Sequence, residues 1–369
     1  MPDLILHTGD VFETYRPSYE DIQLGIDMLR ELSDLAPVVV LCGNHDSPAL
    51  FRLFQKLLGG DRRLIFVDQA RRPEDGGILD FPAKDGDRIR LAPLPFVSNR
   101  GVDRFLDPSL WMSRYSDKID VYERELERGL LSGFDERRDV LIFGAHLYVS
   151  GAITSRSERP LHISDAYMAK LESTPPVTYA AFGHIHRPQK LPTRRTLARY
   201  AGSPIPIDFG EEGETKSIVL VEARPGGAPS VSTVDLSGGR ALRTLRGSAA
   251  ELVMLADQVD DALCNVTLVS DGPEPNASSI VAAMFTRAAI LRVANEYPGA
   301  RLRPIEDDGD REAEEDLTSM FRAFLTESAT TGADAESVLE VFTRVLTALE
   351  SAESVEIAEL KDDIEVLRV

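Results

Sequence analysis

Short apolar runs alternate with amphipathic segments through the first half of the chain. LILH (4–7) and VVVLC (38–42) are apolar runs of strand length, and the segment 18–35 between them has the periodicity of a helix. The same alternation continues, with helices predicted over 48–58 and 119–133 and strands over 140–145 and 178–183. Strands that alternate with helices predict a layered α/β core.

After residue 189 the predicted helices stop and short strands follow one another. They cover 197–201, 216–222 and 229–235, and we expect them to form a second sheet packed on the first. Two turn-rich segments, RPGGAP (224–229) and SGGR (237–240), then interrupt the pattern. Beyond these breaks, helices and strands alternate again in a segment that predicts a small α+β module, over 249–258, 264–269, 277–287 and 289–293.

The C-terminal region has a different pattern. EDDGDREAEED (306–316) is an acidic run typical of a solvated linker. The segments 314–327 and 334–352 each place apolar residues on one helical face, which predicts a pair of amphipathic helices. The alternatives for their apolar faces are docking on a partner protein and folding back on this chain.

Composition fits a globular protein but argues against simple binding to nucleic acid. Of the 369 residues, 43% are hydrophobic and 28% are charged, and the net charge is −20. An acidic surface repels DNA phosphates. Residues 301–369, however, hold 19 acidic and 7 basic residues, so the tail carries −12 of that charge. Bound divalent metal ions would add positive charge at an active site, so a nucleic-acid substrate is not excluded.

Cysteine usage and the N-terminal sequence predict a cytoplasmic protein. Cys42 and Cys264 are far apart in the chain and too few to form a disulfide framework, so both are expected to be buried apolar residues. The first residues do not have the pattern of a secretory signal, and no apolar run approaches the length of a membrane helix.

Four short motifs follow apolar runs that end in glycine. They are GD (9–10), GNHD (43–46), GAH (144–146) and GHIH (183–186). A glycine turn at a strand end presents the next side chain at the carboxyl edge of the sheet, where α/β proteins bind ligands. Four such edges side by side would bring together a carboxylate, an amide oxygen and several imidazoles, a set suited to Mn²⁺, Fe²⁺ or Zn²⁺. The residues concerned are Asp10, Asn44, His45, His146, His184 and His186.

The distribution of histidines supports a metal site. The chain has six histidines, and four of them lie in these motifs. A single GAH would more often mark a buried core histidine, but GNHD and GHIH in this order are much more specific. His7 lies inside the first strand and is expected to be a buried neighbour of the site, whereas His162 is expected in a loop.

The ordered motifs resemble those of calcineurin-like metallophosphoesterases. The resemblance narrows with LAPLPF (91–96), AAFGHIHRPQ (180–189), YAGSPIPIDFGE (200–211) and KSIVLVE (216–222). Together these are similar to the SbcD family, the nuclease subunits of SbcCD, whose members work with a coiled-coil ATPase. The resemblance implies an α/β fold in which a two-layer β-sandwich is flanked by helices, with a small α+β capping domain and a C-terminal helix pair. It also implies a cofactor of two divalent ions, with Mn²⁺ as the expected metal.

The resemblance also assigns roles to the motif residues. Asp10 would bridge two ions, and His186 would bind one of them. His45 corresponds to the catalytic histidine that protonates the leaving oxygen of a phosphodiester. Asp46 is expected to be structural, and Glu13 to affect substrate contacts. The remaining assignments are the other ion's ligands Asn44, His146 and His184, and contacts to DNA phosphates by Arg187 and Gln189, for which loop capping is the alternative.

One part of the family pattern is absent from the sequence. The family begins with a strand that ends in Asp-x-His and supplies further ligands to the ion held by His186, and no Asp-x-His precedes Asp10. A strand and a crossover helix together comprise on the order of 30 residues. We expect a start site assigned too late, with loss of the enzyme's activity as the alternative.

The sequence thus predicts a nuclease subunit of an ATP-dependent complex that processes DNA double-strand ends in repair, recombination and replication. The expected activities are 3′–5′ exonuclease and single-strand endonuclease. The predicted parts are an incomplete nuclease domain (1–235), a DNA-capping domain (240–303), an acidic linker (304–316) and a helical segment that binds the ATPase (317–352). The resemblance implies three partners: an SbcC-type ATPase, DNA ends and a second copy within a heterotetramer. The chain has no G-x-x-x-x-G-K-[ST] motif, so the ATP hydrolysis is expected from the partner. The alternatives are an impaired docking subunit and a metallophosphoesterase that is not a nuclease.

Overall fold

The computed structural model describes residues 1–61, 63–98, 106, 113–155, 167–193 and 195–297, together with 339, 342 and 343. The chain divides into two compact units, Met1–Pro298 and Gly299–Val369. The predicted linker 304–316 and nearly all of the predicted helical segment 317–352 lie outside the described residues. None of the helices in the described part of the chain combines the length and the apolar character that a bilayer crossing requires.

The first sheet consists of three parallel strands covered on one face by two helices. The strands are β1 (Ile5–His7), β2 (Val38–Leu41) and β3 (Leu64–Val67), in the order β1-β2-β3. The helices are α1 (Tyr19–Leu35) and α2 (Pro48–Leu58). The inward residues of both helices pack with Val38 and Val40 in one apolar cluster. Strand β2 is fully buried and presents apolar side chains to both faces of its sheet, and Val38 and Val40 lie on the face that the helices cover.

Both helices begin at a capping serine, as their sequences suggest. The side chain of Ser18 accepts a hydrogen bond from the Asp21 N–H, and the Asp21 carboxylate closes a capping box. The Ser47 hydroxyl accepts a hydrogen bond from the Leu50 N–H, and Pro48 occupies the first position of α2. These caps define where α1 and α2 begin, after the segments that hold the GD and GNHD motifs.

The second sheet has six strands and one covering helix, α3 (Tyr115–Leu131). The strand order is β10-β11-β9-β6-β5-β4, and the bounds are β4 (Leu79–Pro82), β5 (Arg88–Leu94), β6 (Asp139–His146), β9 (Tyr179–Gly183), β10 (Gln189–Lys190) and β11 (Leu197–Tyr200). A short parallel pair follows β6, formed by β7 (Tyr148–Val149) and β8 (Met168–Ala169). Helix α3 packs on the outer face of this sheet.

The two sheets pack face to face. Val39 and Leu41 of β2 share an apolar cluster with Phe81 of β4 and Leu91 of β5, and all four are buried. The layers therefore follow the order helix, sheet, sheet, helix. This arrangement confirms the predicted α/β fold with a two-layer β-sandwich flanked by helices.

One part of the predicted sheet arrangement is wrong. The sequence predicts that 197–201, 216–222 and 229–235 form a second sheet, but β11 lies parallel to β9 in the six-stranded sheet, where Ala198 and Tyr200 are buried. The other two segments, β12 (Ser217–Glu222) and β13 (Ser230–Asp235), pair with each other as an antiparallel hairpin. The physical reason is burial: β11 contributes side chains to the core, whereas the hairpin exposes one face.

The predicted small module is a parallel three-stranded sheet with two helices. Its strands are β14 (Leu242–Gly247), β15 (Leu263–Val269) and β16 (Ala289–Glu296), in that order. The helices α4 (Ala249–Leu255) and α5 (Ala277–Met284) connect them and share a buried cluster with β15. The role of this module stays a prediction.

A buried carboxyl group on α3 leads to a prediction about stability. Glu123 is 1% exposed, and neither of its carboxyl oxygens has a hydrogen-bond partner among the described residues. Burial, with a smaller contribution from the Asp120 charge, raises the pKa of Glu123 well above its ordinary value. Because the folded-state pKa is the higher one, the contribution of this group to stability is present at low pH and is lost as the pH rises.

We therefore expect Glu123→Leu to stabilise the protein by about 1–3 kcal/mol at neutral pH, because the unpartnered carboxyl group is removed. The gain should shrink as the pH falls toward the ordinary range of a carboxyl pKa. Denaturant unfolding across a pH series measures it. A destabilised Glu123→Leu variant at neutral pH would contradict the prediction.

Candidate metal centre

The four strand-end motifs meet at the junction of the two sheets. GD and GNHD follow β1 and β2 of the three-stranded sheet, whereas GAH and GHIH lie at the ends of β6 and β9 of the six-stranded sheet. The expectation of four edges side by side is therefore corrected: each sheet contributes two. The face-to-face packing of the sheets brings the carboxyl ends of both pairs together.

Glycines allow this close approach of the motifs. A Cβ on Gly43 would overlap the carboxylate and the N–H of Asp10, and a Cβ on Gly183 would overlap the Thr8 carbonyl. Gly9 faces the His146 ring in the same way, and it also has a φ of 106°, which favours glycine. Close contacts around the site thus explain Gly9, Gly43 and Gly183, and backbone conformation is a further reason at Gly9; a Cβ at Gly144 would instead overlap the Leu6 side chain.

Four side chains converge on one point of this junction. The Asn44 Oδ1 lies 2.9 Å from the His146 Nε2 and 2.7 Å from the His184 Nδ1. The two imidazole nitrogens are 3.2 Å apart, and the Asp10 Oδ2 is 3.3 Å from the His146 Nε2. Ligand atoms about 2.0–2.2 Å from a shared metal ion are separated by roughly 3.0–3.4 Å; the two spacings of the His146 Nε2 to His184 and Asp10 lie in this range, and the two spacings of the Asn44 oxygen are slightly shorter. Asp10, His146 and His184 form a group that could hold a metal ion.

The hydrogen bonds of His146 indicate what belongs at this point. Its Nδ1 lies 2.7 Å from the Thr8 carbonyl oxygen, which only accepts, so Nδ1 carries the proton. In the neutral ring the Nε2 then carries a lone pair and no proton. This nitrogen faces the oxygens of Asn44 and Asp10. Convergent acceptors stabilise a cation at their centre, so the donor set fits a divalent metal ion.

The electrostatics of the site favour bound cations. Burial alone raises the pKa of Asp10, but His146 and His45 outweigh it, so the pKa of this carboxyl is below its ordinary value. Burial lowers the pKa of His146, yet the Asp10 carboxylate and the Thr8 carbonyl together raise it above its ordinary value. Burial lowers the pKa of His7 to about 4, despite the nearby Asp10 charge, so His7 is neutral.

Two residues of this centre have backbone conformations that are rare outside glycine. Asp10 has a φ of 56° and His184 a φ of 101°. Such conformations cost on the order of 1–3 kcal/mol each and persist where the surrounding structure imposes them. The strain places both side chains on the convergence point, where a straight continuation of each strand would direct them elsewhere.

His45 lies beside this group and is oriented separately. Its N–H donates a hydrogen bond of 2.9 Å to the Asp10 Oδ1, and its Nδ1 lies 2.9 Å from the Glu13 carbonyl oxygen. A carbonyl partner fixes the proton on Nδ1 and leaves Nε2 for contact with a substrate or a proton. Glu13 therefore contacts His45 through its main chain, and its carboxylate lies 3.4 Å from the same nitrogen.

Asp46 is buried beside the site and bonds the main chain on both sides of it. Its carboxylate accepts hydrogen bonds from the N–H groups of Gly43 and Phe12, at 2.8 and 3.0 Å. Burial, followed by the nearby Asp10 charge, raises the pKa of Asp46 to about 6. The side chain thus connects the GNHD turn to the segment after GD, in agreement with the expected structural role.

The other predicted site residues lie outside the convergent group. His186 is held near Glu211, with 3.5 Å between its Nδ1 and the carboxylate. The Arg187 side chain is 49% exposed, and its Nε lies 3.6 Å from Glu214. The Gln189 amide is bonded at both ends to the main chain of Ile153, at 2.8 Å each, which favours loop capping.

Sequence reasoning misses two features of this centre. Phe96 stacks nearly parallel on the His184 ring and meets the His146 ring edge-on, so it forms an apolar wall beside the convergence point. Glu211 is fully buried behind His186 and is paired with the buried Lys216. Phe96 is the last residue of LAPLPF, one of the segments that carry the family resemblance, so the sequence offers a signal for it. Glu211 lies in an acidic turn that resembles a solvated segment, so the sequence offers none.

The sequence profile of the calcineurin-like phosphoesterase family matches residues 1–188. The SbcD subunit of nuclease SbcCD from Bacillus subtilis is 29% identical over 368 residues, which cover 95% of this chain and 90% of that protein. The protein of the same name from Escherichia coli K12 is 27% identical over 265 residues, covering 70% of this chain and 64% of its own length. The protein of the same name from Staphylococcus epidermidis is 26% identical over 257 residues, which cover 68% of this chain and 64% of that protein. The alignments thus span less than two thirds of the latter two relatives.

Proposed function

The chain belongs to the calcineurin-like phosphoesterase family, and from this we propose that it is the nuclease subunit of an ATP-dependent complex that processes DNA double-strand ends. Its reaction would be metal-dependent hydrolysis of phosphodiester bonds, as a 3′–5′ exonuclease and a single-strand endonuclease. The similarity to proteins named as the SbcD subunit of nuclease SbcCD supports this choice within the family. The proposed setting is DNA repair, recombination and replication.

The convergence of acceptor atoms at the sheet junction is the observation that carries this proposal. We propose that Asn44, His146 and His184 would hold one divalent ion together with Asp10. Asp10 and His186 would contribute to holding a second ion, as the family resemblance implies. When bound, the ions would neutralise the scissile phosphate and activate water. Mn²⁺ is proposed on the resemblance to the SbcD family, and the imidazole and oxygen ligands suit Fe²⁺ and Zn²⁺ as well.

The chain's own residues would position and protonate the substrate. We propose that His45 acts from its doubly protonated form: it would give its Nε2 proton to the leaving oxygen and keep the Nδ1 proton that the Glu13 carbonyl accepts. The Phe96 ring would exclude water from the side of the centre that it covers. A substrate role for Gln189 stays a prediction.

Cleavage assays test the proposal directly. The purified chain, with and without its proposed ATPase partner, would be incubated with linear duplex DNA, circular single-stranded DNA and a small phosphodiester. We expect Mn²⁺-dependent cleavage of both DNA substrates that stops when a chelator is added. Hydrolysis of the small diester alone would indicate a different phosphoesterase, and no hydrolysis in any arm would indicate a docking subunit.

Arg187 offers a test of the proposed DNA contact. Its side chain is half-exposed next to the metal centre, so Arg187→Gln should weaken DNA binding, raise KM with little effect on kcat, and reduce the salt dependence of binding by about one phosphate contact. Arg128→Gln on α3 is the matched control, because Arg128 is also exposed and paired with a glutamate. Equal effects of the two substitutions on DNA affinity would rule out a specific Arg187 contact.

The small module and the C-terminal segment would bind the substrate and the partner. We propose that 240–303 caps the DNA-binding surface and that 317–352, after the acidic linker 304–316, docks on an SbcC-type coiled-coil ATPase. The parallel sheet over Leu242–Glu296, with its own buried cluster, supports a separate module. We also propose a homodimer within a heterotetramer.

The helices α1 and α2 present a surface suited to a second copy of the chain. Leu24 and Met28 on α1 are 62% and 57% exposed, and Leu53 and Leu57 on α2 are 48% and 67% exposed. Each pair has i, i+4 spacing, so each helix exposes an apolar stripe on the layer opposite to α3. Apolar stripes on adjacent exposed helices are typical of interfaces.

We therefore expect the combined substitution Met28→Glu and Leu57→Glu to weaken dimerisation by about tenfold or more, because it places charges in an apolar contact. Light scattering over a concentration series measures the change. Leu131→Glu is the control, since Leu131 is 50% exposed at the end of α3. A dimer that survives the double substitution would locate the interface elsewhere.

A further inference from the structure

A buried carboxylate lies directly behind His186. Glu211 is 0% exposed, and its Oε1 lies 3.5 Å from the His186 Nδ1. It ends a short 3-10 turn, Phe209–Glu211, which the Asp208 side chain caps. A carboxylate is seldom fully buried unless it is paired, so its location calls for a specific role.

The charge of Glu211 is balanced inside the protein. The Lys216 Nζ lies 2.8 Å from the Glu211 Oε2, and the Lys216 side chain is 2% exposed. The same oxygen accepts a hydrogen bond from the Ile207 N–H at 3.2 Å and one from the Ser203 hydroxyl at 3.4 Å. These three donors hold the carboxylate in one orientation, in which Oε1 faces the His186 Nδ1 and also accepts a hydrogen bond from the Ser155 hydroxyl, at 3.5 Å each.

His186 is held from its main chain as well as from its ring. Its carbonyl oxygen accepts hydrogen bonds from the Ser203 N–H at 3.0 Å and from the Lys216 Nζ at 3.1 Å. Lys216 thus contacts both the carboxylate that faces the imidazole and the carbonyl of the same histidine. Together, Glu211 and Lys216 hold the imidazole ring and the main-chain carbonyl of His186.

We propose that Glu211 is a positioning residue that keeps the His186 proton on Nδ1 and so leaves the Nε2 lone pair available to a metal ion. A carboxylate accepts only, so its imidazole partner must donate. An imidazole whose other nitrogen donates to a carboxylate is oriented and made more basic as a metal ligand. This inference rests on the proposed function, because it takes His186 as a ligand.

The neighbouring residue of the turn supplies a matched control. The Glu212 carboxylate accepts a hydrogen bond from the Thr244 N–H of β14 at 3.0 Å, away from His186. Replacement of Glu212 removes the same charge from the same turn without removing the acceptor that faces His186. An effect confined to Glu211 therefore separates positioning from general disturbance of the turn.

The test is the tautomer of His186 in the metal-free full-length chain. Protein labelled with ¹⁵N at histidine is measured by NMR at mildly alkaline pH, and His186→Gln identifies the resonances. We expect the Nδ1–H tautomer in the unmodified chain and in Glu212→Leu combined with Lys216→Met, which loses the same lysine but keeps the Glu211 carboxylate. In Glu211→Leu combined with Lys216→Met, which keeps the buried charge balanced, we expect the Nε2–H tautomer that free imidazole side chains favour.

Metal titration gives an independent readout. The double variant should bind the second ion about 10–100-fold more weakly, whereas the ion of the Asp10, Asn44, His146 and His184 group keeps its affinity. An Nε2–H tautomer in the unmodified chain would overturn the proposal even if the double variant fails to fold, and so would equal loss of both ions. Absence of DNA cleavage by the unmodified chain would instead count against the proposed function, and it leaves the tautomer result unaffected.

Discussion

Replacement of Asp10 by asparagine should remove Mn²⁺ binding at the sheet junction and lower DNA cleavage by on the order of 1,000-fold. The substitution is isosteric, and the oxygen of the new amide can still accept the His45 N–H hydrogen bond that the Asp10 Oδ1 accepts now. The other carboxylate oxygen faces the His146 Nε2 at 3.3 Å. An amide group at that point would donate to the lone pair that a metal ion needs.

The same argument predicts that the metal-free protein tolerates this substitution. At a pH where the His146 ring is neutral, the Asp10 carboxylate faces the lone pair of the His146 Nε2, so an amide donor in its place can form a hydrogen bond there. The melting temperature in chelator should stay constant or rise, and the increase on adding Mn²⁺ should disappear. Cleavage assays, isothermal titration with Mn²⁺ and thermal melting with and without metal measure the three effects.

Asp46→Asn is the matched control for this prediction. Asp46 is buried next to Asp10 but accepts two main-chain hydrogen bonds, from Gly43 and Phe12. An amide group opposite one of these N–H donors should destabilise the protein by about 1–3 kcal/mol with and without metal, while Mn²⁺ still raises the melting temperature. If Asp10→Asn behaved like Asp46→Asn and kept its metal-induced shift, Asp10 would not be a ligand.

The sequence predicts the chemistry of the centre better than its architecture. Apolar runs that end in glycine locate Asp10, Asn44, His146 and His184, because a strand end fixes where the next side chain lies. The same runs do not show that β1 and β2 belong to one sheet and β6 and β9 to another. Strand periodicity reports burial on each face of a strand, and it carries no information about which strands are neighbours.

Strands with mixed patterns also escape prediction. RIRLAPL over Arg88–Leu94 begins with the alternation of a half-buried strand, but its proline argues against the central strand that it forms. The run LIFV over Leu64–Val67 is short and has no motif to draw attention to it. Both strands complete the packing between the sheets, and without them the site cannot be placed at a junction.

Buried charges away from the motifs cannot be identified from the sequence. Glu211 lies in the acidic stretch FGEEGE, where the general expectation is a solvated turn. Its burial depends on Lys216, five residues later, and on His186, which is distant in the sequence. Pairing of this kind is a property of the folded chain. Once the structure shows Glu211 to be buried, the rule that a buried charge needs a partner accounts for Lys216.

Gly43→Ala should disrupt both the fold and the metal centre, because a methyl group there overlaps the carboxylate and the main-chain N–H of Asp10. Gly43 does not have a positive φ, so the expected effect is steric and does not depend on backbone preference. Asp10 cannot move aside easily, since its φ of 56° is already strained and its carboxylate bonds the His45 N–H. Overpacking of this kind costs about 1–3 kcal/mol where neighbours can adjust, and more is expected here.

The control for this substitution is Gly272→Ala, since a Cβ at Gly272 meets no atom within 4 Å and its φ is not positive. That variant should stay within about 0.5 kcal/mol of the unmodified chain, or gain slightly from lower entropy of the unfolded state. Unfolding midpoints and Mn²⁺-induced shifts measure both variants. A Gly43→Ala protein with normal stability but no metal shift would mean that Asp10 moves away to admit the methyl group. One with normal stability and a normal shift would show that the GD and GNHD motifs are further apart than this structure places them.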